Sequence, residues 1–402
     1  MLRVAWASCL AATLLISRPL WLTERDYPPV PVLGWLPQPP APLDWVLFVV
    51  MLATLVASAA VPRPRRFIQV ALGITALWLV LDQTRWQPYM LTYVIAGVAL
   101  MMREAAAEWR PLAMAPLQLA LACTYLWSGL HKLNYTYLTT EYAYTAGPLF
   151  RWLGVDVETV GRGGIAFALV TALVEVAMGI GLLLPRTRRA AVVAALGVHA
   201  FILLMLGPLG HGVNAVVWPW NVFTAVAVWA LFWPGATSAA FDNARRAWWR
   251  ALRTRSGTFA ARPVAVSWYA VLLLCGVAPA LSLVGLWDAS LSFQLYAGKQ
   301  RQVTIGYAPD RMDALPAAAR RAVRIEGVVD LTQWSMGEMA VAPVTQPRVV
   351  RAIGRLLARR APDAYIRVIV HGSPDLRTGA RPVQEWAFEG PDATPVLMSS
   401  VP

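Results

Sequence analysis

Nine apolar runs separated by polar breaks constrain this chain more than any other feature. A bilayer core takes about 20 apolar residues as helix, and in lipid a helix is one of the few forms that satisfies its own backbone. The runs are Leu2 to Trp21, Trp45 to Val61, Phe67 to Leu81, Tyr89 to Met102, Pro111 to Leu130, Gly164 to Leu184, Ala190 to Leu206, Asn214 to Trp233 and Val264 to Val284. The third and fourth are short enough for a re-entrant pair. The pattern therefore predicts an all-α polytopic membrane helix bundle of about nine spans, within a range of seven to nine. With 58% hydrophobic and 14% charged residues, against about a quarter charged in soluble domains, disorder is excluded and an ordinary soluble enzyme is disfavoured. The first run carries Arg3 but has no small-residue cleavage site before Glu24, which reads as a retained signal anchor.

A formal charge of +13 can arise from nucleic-acid binding, anionic-lipid binding or membrane topology, and the placement of the charges decides. Loops on the side of the N-terminus hold fifteen basic residues, including Arg63, Arg65, Arg66 and six from Arg245 to Arg262, against three acids. The alternate loops hold six basic residues against seven acids. The positive-inside rule then predicts a multi-pass protein of the cell (inner) membrane, with a cytoplasmic N-terminus and an extracytoplasmic tail. The lipid bilayer is the expected partner, and nucleic acid is not. Cys9, Cys123 and Cys275 lie far apart inside apolar runs, so they offer no disulfide framework and read as buried thiols.

Residues 1–285 make up the membrane domain and 286–402 a small extracytoplasmic α+β domain. The tail alternates strand-like runs (Gln302 to Tyr307, Tyr365 to Val370, Val383 to Phe388) with a stretch, Arg348 to Arg360, whose Val349, Val350, Ile353, Leu356 and Leu357 recur at helical spacing.

Ionisable groups are costly in a membrane and so are functional candidates. Only Lys132 and Lys299 are lysines among the 35 basic residues. Lys132 ends the fifth run, on the side where positive charge is outweighed. A lysine in an apolar pocket can become a neutral amine and serve as a general base; the alternative is a lysine snorkelling to the headgroups. Glu175 lies in the middle of the sixth run with no sequence neighbour to pair with, and must be protonated or meet a cation or polar cavity. Asp82 heads a polar break containing Arg85, Trp86 and Tyr89, where a local Asp82–Arg85 ion pair competes with substrate contact. His199 and His211 bracket a loop leading to Asn214, Trp218 and Asn221, suited to lining a cavity or to proton transfer. Their spacing matches no metal motif, and no metal is expected.

These segments together resemble the bacterial "horizontally transferred transmembrane" proteins, the superfamily that includes vitamin K-dependent γ-carboxylase. Leu81-Asp-Gln-Thr-Arg-Trp86 is similar to that family's Leu-Asp-Lys-Thr-Ser-Trp break, and Ser128-Gly-Leu-His-Lys-Leu-Asn134 to its Ala-Gly-Val-Lys-Lys-Leu-Asp segment. Glu175 falls where the carboxylase has an acid, His211-Gly-Val-Asn214 resembles a His-x-x-Asn element, and the tail fits less tightly through Val329 to Trp334. The likeness covers most of residues 67–370, with the membrane core at 67–285. It implies that Lys132 is a catalytic base acting on a reduced quinone, a vitamin K hydroquinone in the known enzymes, so that dioxygen is activated for carboxylation or epoxidation. His131 and Glu175 would stand beside it as catalytic residues. Asp82, Trp86, Tyr89, His199, His211, Asn214 and Trp218 would bind substrate or cofactor, with Lys132, Glu175 and His211 facing one cavity.

Tyr89 stands where the carboxylase has a histidine, and His131 where it has a lysine. The chain is also much shorter than the animal enzymes, which points away from protein carboxylation and toward a small molecule or lipid. The competing reading is a non-catalytic or redox-accessory quinone-binding subunit of the DoxX-like type. A transporter would show paired inverted repeats, which the sequence lacks.

Overall fold

In the computed structural model, which describes residues 1–104, 112–156, 161–233, 262–389 and 393–401 together with 235, 239, 242, 243 and 246, each of the nine apolar runs is helical over most of its length. The helices are α1 (Leu2–Ile16), α2 (Ala41–Ala60), α3 (Arg65–Leu81), α4 (Pro88–Arg103), α5 (Ala115–Lys132), α6 (Tyr142–Trp152), α7 (Arg162–Leu183), α8 (Arg188–Leu206), α9 (Val217–Phe232) and α10 (Val264–Val284). Four of them, α2, α7, α8 and α10, are long and apolar enough to cross a membrane, with mean hydropathies between 2.0 and 2.2. Helices α1, α4 and α9 are apolar but shorter. Pro111 and most of the arginine-rich stretch from Arg245 lie outside the described residues, as do Glu108, Arg110 and Glu158.

Local chemistry sets the boundaries. Proline in the first turn of α2, α4 and α5 suits a position whose N–H has no helical partner. Asp82 ends α3 by turning extended, and its carboxylate accepts from the Thr84 N–H at 3.0 Å, the capping geometry of a short acidic side chain.

Helix α5 is buried along most of its length and contacts α4, α7, α9 and α10. Its crossing with α7 is close because two glycines lie in the interface. A Cβ on Gly129 would lie 2.6 Å from Ala172 O and Val176 N, and one on Gly179 would lie 2.6 Å from Leu126 N. Small residues that let backbones approach are the usual means of packing helices in lipid. Gly129→Val is therefore expected to push the helices apart and lower stability by about 1–3 kcal/mol. Gly73→Val, at a site with open space around it, should change it far less. Thermal unfolding of the two variants in detergent checks this.

The tail forms one antiparallel six-stranded sheet in the order β2-β3-β1-β4-β5-β6, made of β1 (Gln302–Gly306), β2 (Val323–Ile325), β3 (Val328–Asp330), β4 (Arg367–His371), β5 (Val383–Glu389) and β6 (Thr394–Val401). Helix α11 (Leu331–Met339) is capped by Asp330, which accepts from the N–H groups of Thr332 and Gln333. Helix α12 (Pro347–Arg360) buries Val349, Val350, Ile353 and Leu357 as its spacing requires, while Leu356 is only partly covered. The expected strands β1, β4 and β5 are present; β2, β3, β6, α6 and α11 lie outside the expected elements. β2 and β3, at three residues each, are too short to display a period of two.

The tail sits on one end of the bundle. Glu338 accepts from the N–H groups of Asp26 and Tyr27, Gln87 Nε2 donates to Ala342 O at 3.0 Å, the Tyr135 N–H donates to Leu376 O at 2.9 Å, and Asn214 Nδ2 donates to the Tyr296 hydroxyl at 2.7 Å. The connections that follow α1, α3, α5 and α8 thus gather at the same end, each meeting the tail.

Candidate functional site

Beneath the tail, at the end of α5, a cavity of about 460 Å³ opens between α5, α6, α7, α8 and α9. Leu149, Phe167, Val170, Val174 and Ile202 contribute apolar wall, and two polar groups of residues interrupt it. In the first, Lys132 Nζ donates to both carboxylate oxygens of Glu175 at 2.7 Å and to Ser128 Oγ at 3.0 Å. Ser128 lies one turn before Lys132, so helical spacing alone aligns them. Glu175 comes from α7, which the glycine crossing holds near enough for direct contact. The pair is almost enclosed, with side-chain exposures of 8% and 11%. The Tyr137 ring lies 5.9 Å from the ammonium, within cation–π reach.

The second group joins Tyr125, His199 and Asn221. Asn221 Nδ2 donates to Val217 O, so its Oδ1 faces His199 Nδ1 at 2.8 Å. His199 therefore carries its proton on Nδ1 and accepts from the Tyr125 hydroxyl at Nε2, 2.6 Å away. The phenol oxygen keeps lone pairs for a ligand. Trp220 also lines the cavity, and its buried indole N–H has no partner among the described residues.

Lys132, Glu175, His199 and Asn221 thus line one cavity; the other candidates lie elsewhere. Lys132 does not snorkel outward, because its ammonium folds back onto Glu175. His131, one residue away, faces another side of α5, with its Nδ1 3.5 Å from Lys299 Nζ and its ring 5.6 Å from that of Trp127. His211 does not join Lys132 and Glu175, contrary to expectation: it stacks on Tyr144 at 4.5 Å and contacts Tyr144 O at 2.6 Å. The Trp218 indole donates to Val213 O at 3.2 Å, which closes its own loop. Tyr89 and Asn214 line a neighbouring chamber of about 320 Å³ under the tail, which shares Trp220, Leu295 and Tyr296 with the main cavity.

Asp82 is structural. It forms a buried ion cluster with Arg25 and Arg85, and accepts from the N–H groups of Val30 and Thr84 at 3.0 Å. Burial alone would push its carboxyl up, but the two guanidinium groups and these N–H donors overcome that and hold it below the usual carboxylate range. Trp86 lies under Arg348 of the tail, 5.3 Å from the guanidinium carbon. Sequence reasoning did not single out Ser128, Tyr125 or Tyr137 as cavity residues. Of these, Ser128 was accessible from its spacing of four to Lys132.

Among the described residues, no group of three or more His, Cys, Asp or Glu side chains is arranged to hold a metal ion. No family profile, curated protein or solved structure shows significant similarity to the chain.

Proposed function

We propose that this chain is a membrane enzyme of about nine spans, with a cytoplasmic N-terminus and an extracytoplasmic tail. In this reading the apolar cavity takes a lipid-soluble ring compound of the reduced-quinone class. The gathering of alternate connections under the tail supports the topology, together with the arginine asymmetry of the loops. The observation that carries the activity is the Lys132–Glu175 pair in the wall of an otherwise largely apolar cavity. A volume of 460 Å³ falls within the ~300–1,000 Å³ range of small-molecule sites, and the walls match a flat apolar ring with polar edges.

Lys132, Ser128 and the Tyr125 hydroxyl would hold the ligand's oxygens, with the unpartnered Trp220 N–H as a further donor. Transfer of a proton from Lys132 Nζ to Glu175 leaves a neutral amine that accepts the proton of a ligand hydroxyl. The surrounding side chains exclude water and strengthen each of these contacts. A reduced quinone, when bound, supplies the electrons for the oxygen-dependent carboxylation or epoxidation that the family likeness implies.

The competing reading, a quinone-binding subunit without catalysis, draws support from the geometry of the pair itself. Lys132 makes three hydrogen bonds to protein and pins α5 to α7, as a structural staple would. The discriminating experiment supplies a reduced naphthoquinone to the purified protein and follows quinol oxidation and dioxygen uptake. Wild type should turn over, and Lys132→Met should be slower by about 10²–10⁴-fold. A wild-type protein that binds the quinol and consumes none of it would establish the accessory role instead.

A further inference from the structure

Lys299, the chain's other lysine, is buried at 4% exposure in the connection between α10 and β1. Among the described residues no carboxylate reaches its ammonium; the polar contact of Nζ is His131 Nδ1, at a long 3.5 Å. A buried cation without a counter-charge is costly to the fold, and burial pulls the Lys299 ammonium down to about 8.

Lys299 lines a chamber of about 630 Å³ between the end of α10 and the tail sheet, shared with Trp287, Gln294, Arg301 and Arg377. Two further polar atoms there, the Trp287 indole N–H and Gln294 Oε1, are buried with no partner among the described residues. Arg301 spends one N–H on Gln346 Oε1 at 3.3 Å and feels the Asp288 carboxylate. Asp288 is itself bonded to Arg348 at 2.7 Å. The chamber's own acid, Asp375, is occupied by the N–H groups of Arg377 and Thr378 and by the Thr378 hydroxyl. The surplus in the chamber is thus positive charge and N–H donors, with one free acceptor.

We infer that this chamber is a phosphate-binding site, with Lys299 as its charged anchor and Arg301 and the Trp287 N–H as flanking donors. An oxyanion would meet the ammonium and the N–H donors together. The free Gln294 Oε1 selects one that also bears a hydroxyl, such as hydrogen phosphate or a phosphoglycerol headgroup. Leu283 on the chamber wall and Leu286, 74% exposed beside it, give a lipid's chains an apolar surface on which to lie. The inference is independent of the quinone reading, because its test reads binding and uses no quinone.

The full chain in maltoside micelles is titrated with inorganic phosphate by calorimetry. In a second arm, the chain is incubated with phosphatidylglycerol and its retained lipid is counted by native mass spectrometry. Saturable binding is expected in at least one arm, and the arm that binds identifies the source. Lys299→Met should weaken it by about tenfold or more, Trp287→Phe should weaken it less, and the exposed Arg355→Gln should leave it unchanged. Removing a buried charge that has no counter-charge leaves no partner charge stranded; should Lys299→Met nevertheless misfold, Trp287→Phe, which deletes only the indole donor, carries the comparison. Absence of saturable binding in both arms, or equal affinity of wild type and the folded variants, overturns the inference and leaves Lys299 as a hydrogen-bond partner of His131 alone.

Discussion

Asp82→Ala is expected to destabilise the fold by about 3–5 kcal/mol, the range for removing one member of a buried ion pair. The reason is what remains. The Arg25 and Arg85 side chains are each 1% exposed, and without the carboxylate two enclosed guanidinium groups lose the acid that both contact. Arg85 would still donate to Leu20 O, Trp78 O and Trp21 O, which neutralises none of its charge. The N–H groups of Val30 and Thr84 would also lose their acceptor. Asp82→Asn restores an acceptor without the charge and should recover part of the loss. Because the native carboxyl is held below its usual range, the wild-type contribution is complete above about pH 4. It drains away as the pH falls through the lower native value. Thermal unfolding in detergent followed by tryptophan fluorescence, with the three proteins compared at neutral and acid pH, measures this. An alanine variant within 1 kcal/mol of wild type would contradict the cluster's structural role.

The second large effect is a contrast. Glu175→Leu leaves the Lys132 ammonium enclosed with Ser128 as its remaining hydrogen-bond partner, and Lys132→Met leaves a buried carboxylate with none of its present donors. Each single change is expected to cost about 3–5 kcal/mol, whereas the double variant, which buries no charge, should return to within about 1–2 kcal/mol of wild type. Stability and function then separate. If the pair is only a staple between α5 and α7, the double variant behaves as wild type in every assay. If the pair handles a proton, the double variant regains its melting temperature while quinol turnover stays at the level of Lys132→Met. Recovery of turnover along with stability would remove Lys132 and Glu175 from the chemistry, and absence of turnover in wild type would leave the cavity as a binding site.

The helices of the nine apolar runs were legible in the sequence, unlike α6 and α11, because a helix in apolar surroundings is a local solution: its hydrogen bonds close within one segment, and its apolar length is read directly. The same locality exposed α12, whose apolar residues recur at a period of 3.6, and the strands β1, β4 and β5, but not β6, the longest of the sheet. The cavity was half legible. The scarcity of lysine marked Lys132, and the cost of a lone carboxylate in an apolar run marked Glu175. Yet the two are 43 residues apart, and their joining depends on Gly129 and Gly179 letting two backbones approach. Successive residues on a helix point about 100° apart, which is why His131 and Lys132, adjacent in the chain, serve different surroundings. His211 fails to join the cavity for a related reason: the loop that carries it folds back and stacks it on Tyr144. Asp82 was given a local partner in Arg85, but its closer partner, Arg25, comes from a connection 57 residues away. The sequence by itself determined the helices of the nine apolar runs, α12, and which ionisable groups are anomalous, since these follow from local hydrogen bonding and solvation. Only the tertiary structure decided which of those groups meet, because that depends on crossings and helix rotations set by packing between distant segments.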